Sequence, residues 1–242
     1  MKRIGVVILL LLVGALAVYL STSTTSAPPA VRQASPTKAP DLSGLSVATL
    51  AGGCFWCVEA AFEEVPGVYN VVSGYSGGDI KNPTYKQVSA GLTKHTEAVQ
   101  FYYDPKVITF EGLLQVLWRT ADPTDSKGQY HDRGSQYRPA IFYHNEQQRL
   151  AAIRSRGELS KSGPFKKPIT IEIVDFKSFY SAEDYHQDYH RKKPLHYVLY
   201  TIGSGRTAFH EEVWGDKLKI DFSKYRPGKK ANVRGTQLMT GM

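Results

Sequence analysis

The chain has 242 residues, 42% of them hydrophobic, which is enough for one sizeable domain or two small ones. Its formal net charge of +8 lies at the ends, because residues 1–40 carry +4 and residues 216–242 carry +5, which leaves −1 for residues 41–215. A nearly neutral central segment argues against a nucleic-acid-binding protein, which needs basic residues on its folded surface.

The N-terminal segment has the pattern of a membrane anchor or an export signal. Lys2 and Arg3 precede an apolar run from Ile4 to Leu20, and positive charges before such a run are typical of exported proteins. The run is longer than a usual signal sequence and reaches the lower limit for a membrane-spanning helix. Pro28 follows the only cluster of small residues where cleavage would be expected. We therefore predict an uncleaved anchor over residues 1–22, with a cleaved signal peptide or a buried core helix as alternatives, and we expect the rest of the chain outside the cytoplasm.

Changes in composition divide the remaining chain into three segments. Residues 23–42 are rich in Ser, Thr, Ala and Pro and predict a disordered linker. Residues 43–215 have the hydrophobic pattern of a folded domain, and the charge shift near Gly215 marks its predicted end. Residues 216–242 form a basic extension, for which we expect disorder, with contact to anionic lipid or to a partner as the alternative.

In chain order, the domain alternates predicted strands and helices. The predicted strands are Ser46–Leu50, Val68–Tyr75, Ala98–Tyr103, Ala140–Tyr143 and Ile169–Phe176. The predicted helices are 54–65, Phe110–Arg119, Glu146–Lys161 and Ala182–Tyr189, the last from a capping-box-like Ser181 and Asp184. A polar loop, Ala121–Arg138, is long enough to be functional. This order predicts an α+β fold with a mixed sheet.

Both cysteines of the chain, Cys54 and Cys57, lie in the first predicted helix and enclose Phe55 and Trp56. Residues three apart share one face of a helix. Cys54 is placed where the helix dipole lowers the pKa of a thiol, and the preceding glycines allow a substrate to approach the backbone. The pattern indicates a nucleophilic thiolate at Cys54, with Cys57 able to form a disulfide after local adjustment.

Other interpretations of the two cysteines remain open at this point. Zinc needs about four ligands, and the spacing of His186, His190 and His196 fits no zinc-finger pattern. A structural disulfide suits an exported protein, but closing so short a loop stabilises little. A thioredoxin-type oxidoreductase would need a proline loop facing the cysteines, for which Pro66 and Pro83 are candidates. The pattern favours a redox or nucleophilic role.

Seven stretches in the same order resemble the type A peptide methionine sulfoxide reductases. They are GCFWCVEAAF (53–62), PGVYNVVSGYSGG (66–78), NPTYKQV (82–88), HTEAVQFYYDP (95–105), LLQVLWRTADPTD (113–125), DRGSQYRPAIFY (132–143) and FYSAEDYHQDY (179–189). The resemblance covers about residues 45–200 and implies reduction of the S epimer of methionine sulfoxide, in proteins and free. We expect a two-layer sandwich with a ferredoxin-like plait core and long functional loops.

The resemblance also implies a role for each motif residue. Cys54 matches the nucleophile, which becomes a sulfenic acid, and Glu97 matches the acid, whose pKa must be raised by burial. Phe55 and Trp56 match residues that enclose the substrate methyl group. The remaining polar positions match groups around the sulfoxide oxygen and are Tyr85, Tyr137 and Asp132. Without the resemblance, the alternatives are core aromatic residues for Phe55 and Trp56 and a surface glutamate for Glu97.

Cys57 departs from the pattern of family members that carry resolving cysteines near the C-terminus. Both cysteines of this chain precede residue 58, so Cys57 is expected to attack the sulfenic acid of Cys54 and form a disulfide, which a thioredoxin-like dithiol donor then reduces. We expect no metal and no other cofactor, no nucleic-acid partner, and a monomer. DYHRKKPLHY (188–197) also departs from the family pattern.

Overall fold

A six-stranded mixed sheet forms the centre of residues 43–228, the part of the chain that a computed structural model describes. These residues belong to one unit, Leu42–Met242. The predicted anchor (1–22), the predicted linker (23–42) and residues 229–242 lie outside the described residues. Within residues 43–228, every helix is too short or too polar to cross a bilayer.

The sheet has the strand order β7-β6-β1-β3-β2-β8. Its strands are β1 (Ser46–Ala51), β2 (Val68–Ser76), β3 (Thr96–Tyr103), β6 (Ala140–Tyr143), β7 (Glu172–Asp175) and β8 (Phe179–Ser181). The two-residue strands β4 (Gly128–Gln129) and β5 (Asp132–Arg133) form a separate hairpin. Only the β6–β7 pair of the six-stranded sheet is parallel, so the sheet is mixed and the fold is α+β, as predicted.

The described residues contain seven α-helices. They are α1 (Phe55–Glu63), α2 (Tyr85–Ser89), α3 (Phe110–Thr120), α4 (Glu146–Ser162), α5 (Tyr189–Lys192), α6 (Pro194–Gly203) and α7 (Arg206–Phe209). Side-chain oxygens cap the amide groups at the start of α2, α3 and α4, from Thr84, Thr109 and Asn145. Helix α3 packs against both α1 and α4.

Alternation along the strands separates two apolar layers. Leu50 of β1 and Phe101 of β3 enter the main core, where Phe62 of α1 stacks on Phe101 with ring centroids 4.6 Å apart. Ala98 lies in a smaller cluster on the opposite face. Because side chains alternate between the two faces, Glu97 points toward the helices, on the same side as Phe101. This register brings a carboxyl group into the core beside α1.

The predicted helix over Ala182–Tyr189 is wrong. Residues 184–188 form turns, and helix begins only at Tyr189. Asp188 has a left-handed φ of 51°, which interrupts a helix. Glu183 accepts hydrogen bonds from the Tyr75 hydroxyl and the Tyr85 amide, both at 2.8 Å. Long-range hydrogen bonds therefore replace the local helix that the capping pattern indicated.

The chain beyond Gly215 packs against α3. The Thr109 amide donates to the Tyr225 carbonyl at 2.8 Å, and Arg119 Nε donates to the Lys217 carbonyl at 2.8 Å. Residues Phe222–Tyr225 form a 3-10 turn. The segment that charge alone assigned to an extension thus contributes packing up to Tyr225.

Candidate active site

A Gly-Gly turn delivers Cys54 from the end of β1 to the first turn of α1. Cys54 is the N-cap residue, and its carbonyl accepts from the Cys57 amide at 3.1 Å. Gly53 has a φ of +87°, and a Cβ there would lie 2.6 Å from the Cβ of Gln129. Glycine is therefore required both by the backbone conformation and by the packing.

The two thiols are buried, unoxidised neighbours. Cys54 is 5% exposed and Cys57 is 3% exposed, and their side chains are hydrogen-bonded to each other. Burial raises the pKa of the Cys54 thiol, and the hydrogen bond and charge of Cys57 add to this. The same hydrogen bond and the positive charge of Arg206 lower the pKa of Cys57 to about 7. The sequence-based expectation of a lowered pKa at Cys54 is therefore wrong for the reduced protein, because burial outweighs the helix dipole.

Glu97 lies directly beside the first turn of α1. Its carboxyl group is 2% exposed, and its Oε2 accepts a hydrogen bond from the Phe55 amide at 3.0 Å. Burial, with smaller contributions from the nearby charges of Asp132 and Cys57, raises the pKa of Glu97 to about 8. At neutral pH the group therefore carries a proton that it can donate.

Three further predicted polar residues, Tyr85, Tyr137 and Asp132, lie around this acid. Tyr85 begins α2, and Tyr137 ends a 3-10 turn, Ser135–Tyr137. Burial and the charge of Glu97 raise the pKa of Tyr85 to about 12, and the same causes raise the pKa of Tyr137. Both phenols also interact electrostatically with Cys54 and Asp132. The structure thus brings Cys54, Glu97 and these three residues into one cluster.

The two aromatic residues between the thiols have different environments. Phe55 is 1% exposed and belongs to the main core. Trp56 is partly exposed, stacks on Tyr189 at 3.7 Å between ring centroids, and donates its indole N–H to Nδ1 of His186 at 3.1 Å. Trp56 therefore offers an apolar surface at the edge of the site, while Phe55 supports it from inside.

Sequence reasoning missed the residues that cover the thiols. Tyr197 and Tyr200 lie on the inner face of α6, where they hydrogen-bond to Cys57 and Cys54, respectively. The Tyr200 hydroxyl also donates to Oδ2 of Asp132. Their spacing of three residues on one helix face was the only available signal, and it does not distinguish these tyrosines from the many others in the chain.

The histidines considered as zinc ligands have other partners. His186 accepts from Trp56, His190 lies 3.2 Å from a carboxylate oxygen of Glu63, and Nδ1 of His196 is 3.2 Å from the Tyr189 hydroxyl. Between residues 43 and 228, no group of three or more His, Cys, Asp or Glu side chains is arranged to hold a metal ion.

A pair of hydrogen-bonded thiols beside a protonated carboxyl group and phenol donors defines the site of a thiol-dependent oxidoreductase. Comparison with known proteins identifies the family. Residues 46–218 match the family described as peptide methionine sulfoxide reductase. The chain is 54% identical over 170 residues to peptide methionine sulfoxide reductase MsrA 2 of Staphylococcus aureus, covering 70% of this chain and 96% of that protein.

Two further relatives agree with this match. MsrA of Listeria innocua is 52% identical over 170 residues, covering 70% of this chain and 96% of its own length. The crystal structure of reduced Mxr1 from Saccharomyces cerevisiae superposes with a TM-score of 0.61 at 32% identity, covering 67% of this chain and 93% of that one. The chain belongs to the type A peptide methionine sulfoxide reductases, and its activity is that of a peptide-methionine (S)-S-oxide reductase.

Proposed function

We propose that Cys54 reduces methionine sulfoxide, with Glu97 as the acid and Cys57 as the resolving thiol. The observation that carries this proposal is the hydrogen bond from the amide of Phe55, the residue after Cys54, to the buried carboxyl group of Glu97 at 3.0 Å. It fixes a protonated acid next to the nucleophile. A sulfoxide has an electrophilic sulfur and a basic oxygen, so its reduction needs both groups together.

In the first step, the Cys54 sulfur attacks the sulfoxide sulfur while Glu97 protonates the oxygen, and the thiol proton of Cys54 replaces the proton that Glu97 has given. The S–O bond of the substrate and the transient bond between the two sulfur atoms then break, and the hydroxyl group is transferred to Cys54. The substrate sulfur gains two electrons and leaves as methionine, whereas Cys54 loses two electrons and becomes a sulfenic acid. Phenol donors at Tyr85 and Tyr137 stabilise the oxygen as it gains negative charge, and Trp56 packs against the methyl group.

In the second step, the Cys57 thiolate attacks the sulfur of the Cys54 sulfenic acid. The S–S bond forms as the S–O bond breaks, and the hydroxyl group takes up one proton and leaves as water. A thioredoxin-like dithiol donor then reduces the disulfide by two successive thiol exchanges, and the donor becomes a disulfide itself.

We propose that this activity repairs oxidised proteins outside the cytoplasm under oxidative stress, and that it also acts on free methionine sulfoxide. Support comes from the charged and apolar pattern of residues 2–20, which is typical of an anchor or export signal. The protein is proposed to act as a monomer. Membrane fractionation of cells, with protease accessibility from the outer side, tests the location.

The β1-α1-β2-β3-α3-β6 segment is proposed to form a ferredoxin-like plait. Support comes from the strand order β6-β1-β3-β2 with antiparallel neighbours. Helices α1 and α3 contribute to the same core cluster as β1 and β3, as expected for two crossover helices on one face of a sheet.

The two cysteine variants test the proposed mechanism. With a dithiothreitol donor and a stereochemically pure methyl sulfoxide, the Cys54→Ser variant should lose all turnover of the S epimer, because it lacks the attacking sulfur. Retained turnover would refute the proposal. The R epimer serves as the substrate control and should not be reduced by either protein.

The Cys57→Ser variant separates attack from recycling. It should form one equivalent of methionine per protein and then stop when thioredoxin is the donor, because the sulfenic acid cannot be converted into the disulfide. Unchanged cycling would exclude the resolving role. An insulin-reduction assay of the unsubstituted protein checks the thioredoxin-type alternative and should show no acceleration.

A further inference from the structure

Arg206 is a fully buried guanidinium beneath the thiol pair. It begins α7 and is 3% exposed. Its Nη1 donates to the Thr120 carbonyl, and its Nη2 donates to the Gly52 carbonyl at 3.4 Å. Its guanidinium carbon lies 4.5 Å from the ring centroid of Tyr130. These contacts fix the cation against the Gly-Gly turn that precedes Cys54.

The charge of Arg206 lacks a carboxylate partner. Within residues 43–228, none of the ion pairs includes Arg206, and its Nε atom has no hydrogen-bond acceptor. A buried charge without a counterion is strongly destabilising. The fold therefore requires a negative group close to this guanidinium.

Cys57 is the group that meets this requirement. Cys57 and Arg206 line the same cavity of about 320 Å³, together with Thr120, Tyr197 and His210. Burial is the largest single influence on Arg206 and would lower its pKa. The charges of neighbouring groups together outweigh burial and raise the pKa, and the charge of Cys57 is the largest of these contributions. The positive charge of Arg206 in turn helps to lower the pKa of Cys57 to about 7.

We propose that Arg206 is the counterion of the Cys57 thiolate and acts as a positioning residue that keeps the resolving thiol ionised. This inference rests on the proposed function, because it assigns a partner to the resolving step. Since Cys57 is then already ionised when the sulfenic acid forms on Cys54, the S–S bond can form without a separate base. The thiolate becomes part of the disulfide, and hydroxide leaves with a proton as water.

Other groups also act on Cys57 from the elements packed against it. The hydrogen bond from Cys54 lowers its pKa most, and a hydrogen bond from Tyr197 lowers it further, whereas the charge of Asp132 raises it. The remaining charged or titratable neighbours are Glu97 on β3, Tyr130 between β4 and β5, and His210, which lines the same cavity. Burial and the charge of Arg206 lower the pKa of His210 to about 4, so this imidazole is neutral. Among these groups Arg206 supplies the positive charge, so its removal has a distinct electrostatic effect.

The first test measures the ionisation of Cys57 alone. In a full-length Cys54→Ser background Cys57 is the only thiol, and serine keeps a hydroxyl donor at residue 54. The ultraviolet absorbance of the thiolate is followed against pH for Arg206, Arg206→Lys and Arg206→Met. We expect the methionine variant to raise the pKa of Cys57 by about one unit or more, and each unit lowers the ratio of thiolate to thiol about tenfold. The lysine variant should restore most of this ratio.

Arg119→Met is the matched control, because Arg119 also packs on an aromatic ring, that of Trp214, with its guanidinium carbon 4.4 Å from the centroid. It should leave the pKa of Cys57 unchanged. An equal pKa in the Arg206, Arg206→Lys and Arg206→Met proteins would overturn the proposal. If circular dichroism shows that Arg206→Met is unfolded, Arg206→Gln takes its place. An equal pKa of Cys57 in the Arg206, Arg206→Lys and Arg206→Gln proteins would then overturn the proposal.

The second test follows the two chemical steps in the protein with both cysteines. In Arg206→Met, disulfide formation at neutral pH should slow several-fold relative to methionine release and recover at alkaline pH, where Cys57 ionises without the cation. An unchanged rate of disulfide formation would count against the proposal. Absence of methionine release in the unsubstituted protein would instead refute the proposed function, so the two failures are distinguishable.

Discussion

Glu97 destabilises the folded protein, because its carboxyl group is buried next to other acidic groups. Its pKa is raised to about 8, with burial as the largest cause. The folded state binds this proton more tightly than the unfolded state. The free energy of unfolding therefore falls as pH rises between the unfolded and folded pKa values of the group. The proton needed for chemistry is thus obtained at the expense of stability at alkaline pH.

Replacing Glu97 by glutamine should slow reduction of the sulfoxide by about 10²- to 10⁴-fold, the usual contribution of a positioned acid. In single-turnover measurements on prereduced protein, the unsubstituted chain should lose activity as pH rises through about 8, where Glu97 loses its proton. The variant should lack this alkaline decrease. An identical pH profile for both proteins would remove Glu97 from the role of acid.

The same substitution should stabilise the fold. The glutamine side chain would keep an acceptor for the Phe55 amide without a titratable proton, so the melting temperature of Glu97→Gln should exceed that of the unsubstituted protein. The difference should grow as pH rises from about 4.5 to about 8, since this interval spans the ordinary and the raised pKa of the carboxyl group. A difference that shrinks with pH would contradict this effect of burial.

At the scale of elements, strand β8 connects the sheet edge to the active site. It pairs with β2, and the two strands approach closely at Gly74 of β2. A Cβ added to Gly74 would lie 2.4 Å from the Phe179 ring and 2.4 Å from the Tyr180 carbonyl oxygen. The residues that follow β8 include Glu183, which binds the Tyr75 hydroxyl and the Tyr85 amide. Pairing of β8 with β2 therefore helps to position a phenol of the site.

Gly74→Ala should lower both the melting temperature and the rate of sulfoxide reduction, because β8 must move away from β2 to admit the methyl group. Gly157→Ala is the matched control, since a Cβ at this helical position meets no atom within 4 Å. Alanine there should stabilise α4 by about 0.5–1 kcal/mol. Thermal unfolding and activity assays on both variants check the contrast, and equal behaviour would argue against the close approach at Gly74.

For the whole molecule, the C-terminal chain completes the packing around α3. The Tyr225 carbonyl accepts from the Thr109 amide, one of the free donors at the start of this helix. A Cβ at Gly112 would lie 2.7 Å from the Cβ of Tyr225, so the two segments are in close contact. The extension therefore includes a part that stabilises the domain.

Truncation tests this division of the C-terminal segment. Removing residues 216–242 should lower the melting temperature, because the contacts of Lys217 and Tyr225 with α3 are lost. Removing only residues 229–242 is the control, because it keeps these contacts, and it should lower the melting temperature less. Equal stability of both truncated proteins would show that packing beyond Gly215 is energetically unimportant.

Much of the fold could be predicted from the sequence, because its signals are local. Strand alternation and apolar helix faces predicted Ala140–Tyr143 with the bounds that the structure has, and placed α3 and α4 within one residue at their C-terminal ends. Glycine before Cys54 and proline after α1 likewise act through the backbone of neighbouring residues. The wrong helix over Ala182–Tyr189 shows where this fails, since Glu183 and Gln187 bond to distant parts of the sheet.

The sequence by itself determined the family, the two-thiol motif and the identity of the groups expected to act on the sulfoxide, since these are properties of residue type and spacing. Only the tertiary structure decided how those groups ionise. Burial raises the pKa values of Cys54 and Glu97, and Arg206, which is far from Cys57 along the chain, helps to lower that of Cys57. Ionisation in a protein interior depends on desolvation and on charges a few ångströms away, and both are set by folding contacts between segments far apart in sequence.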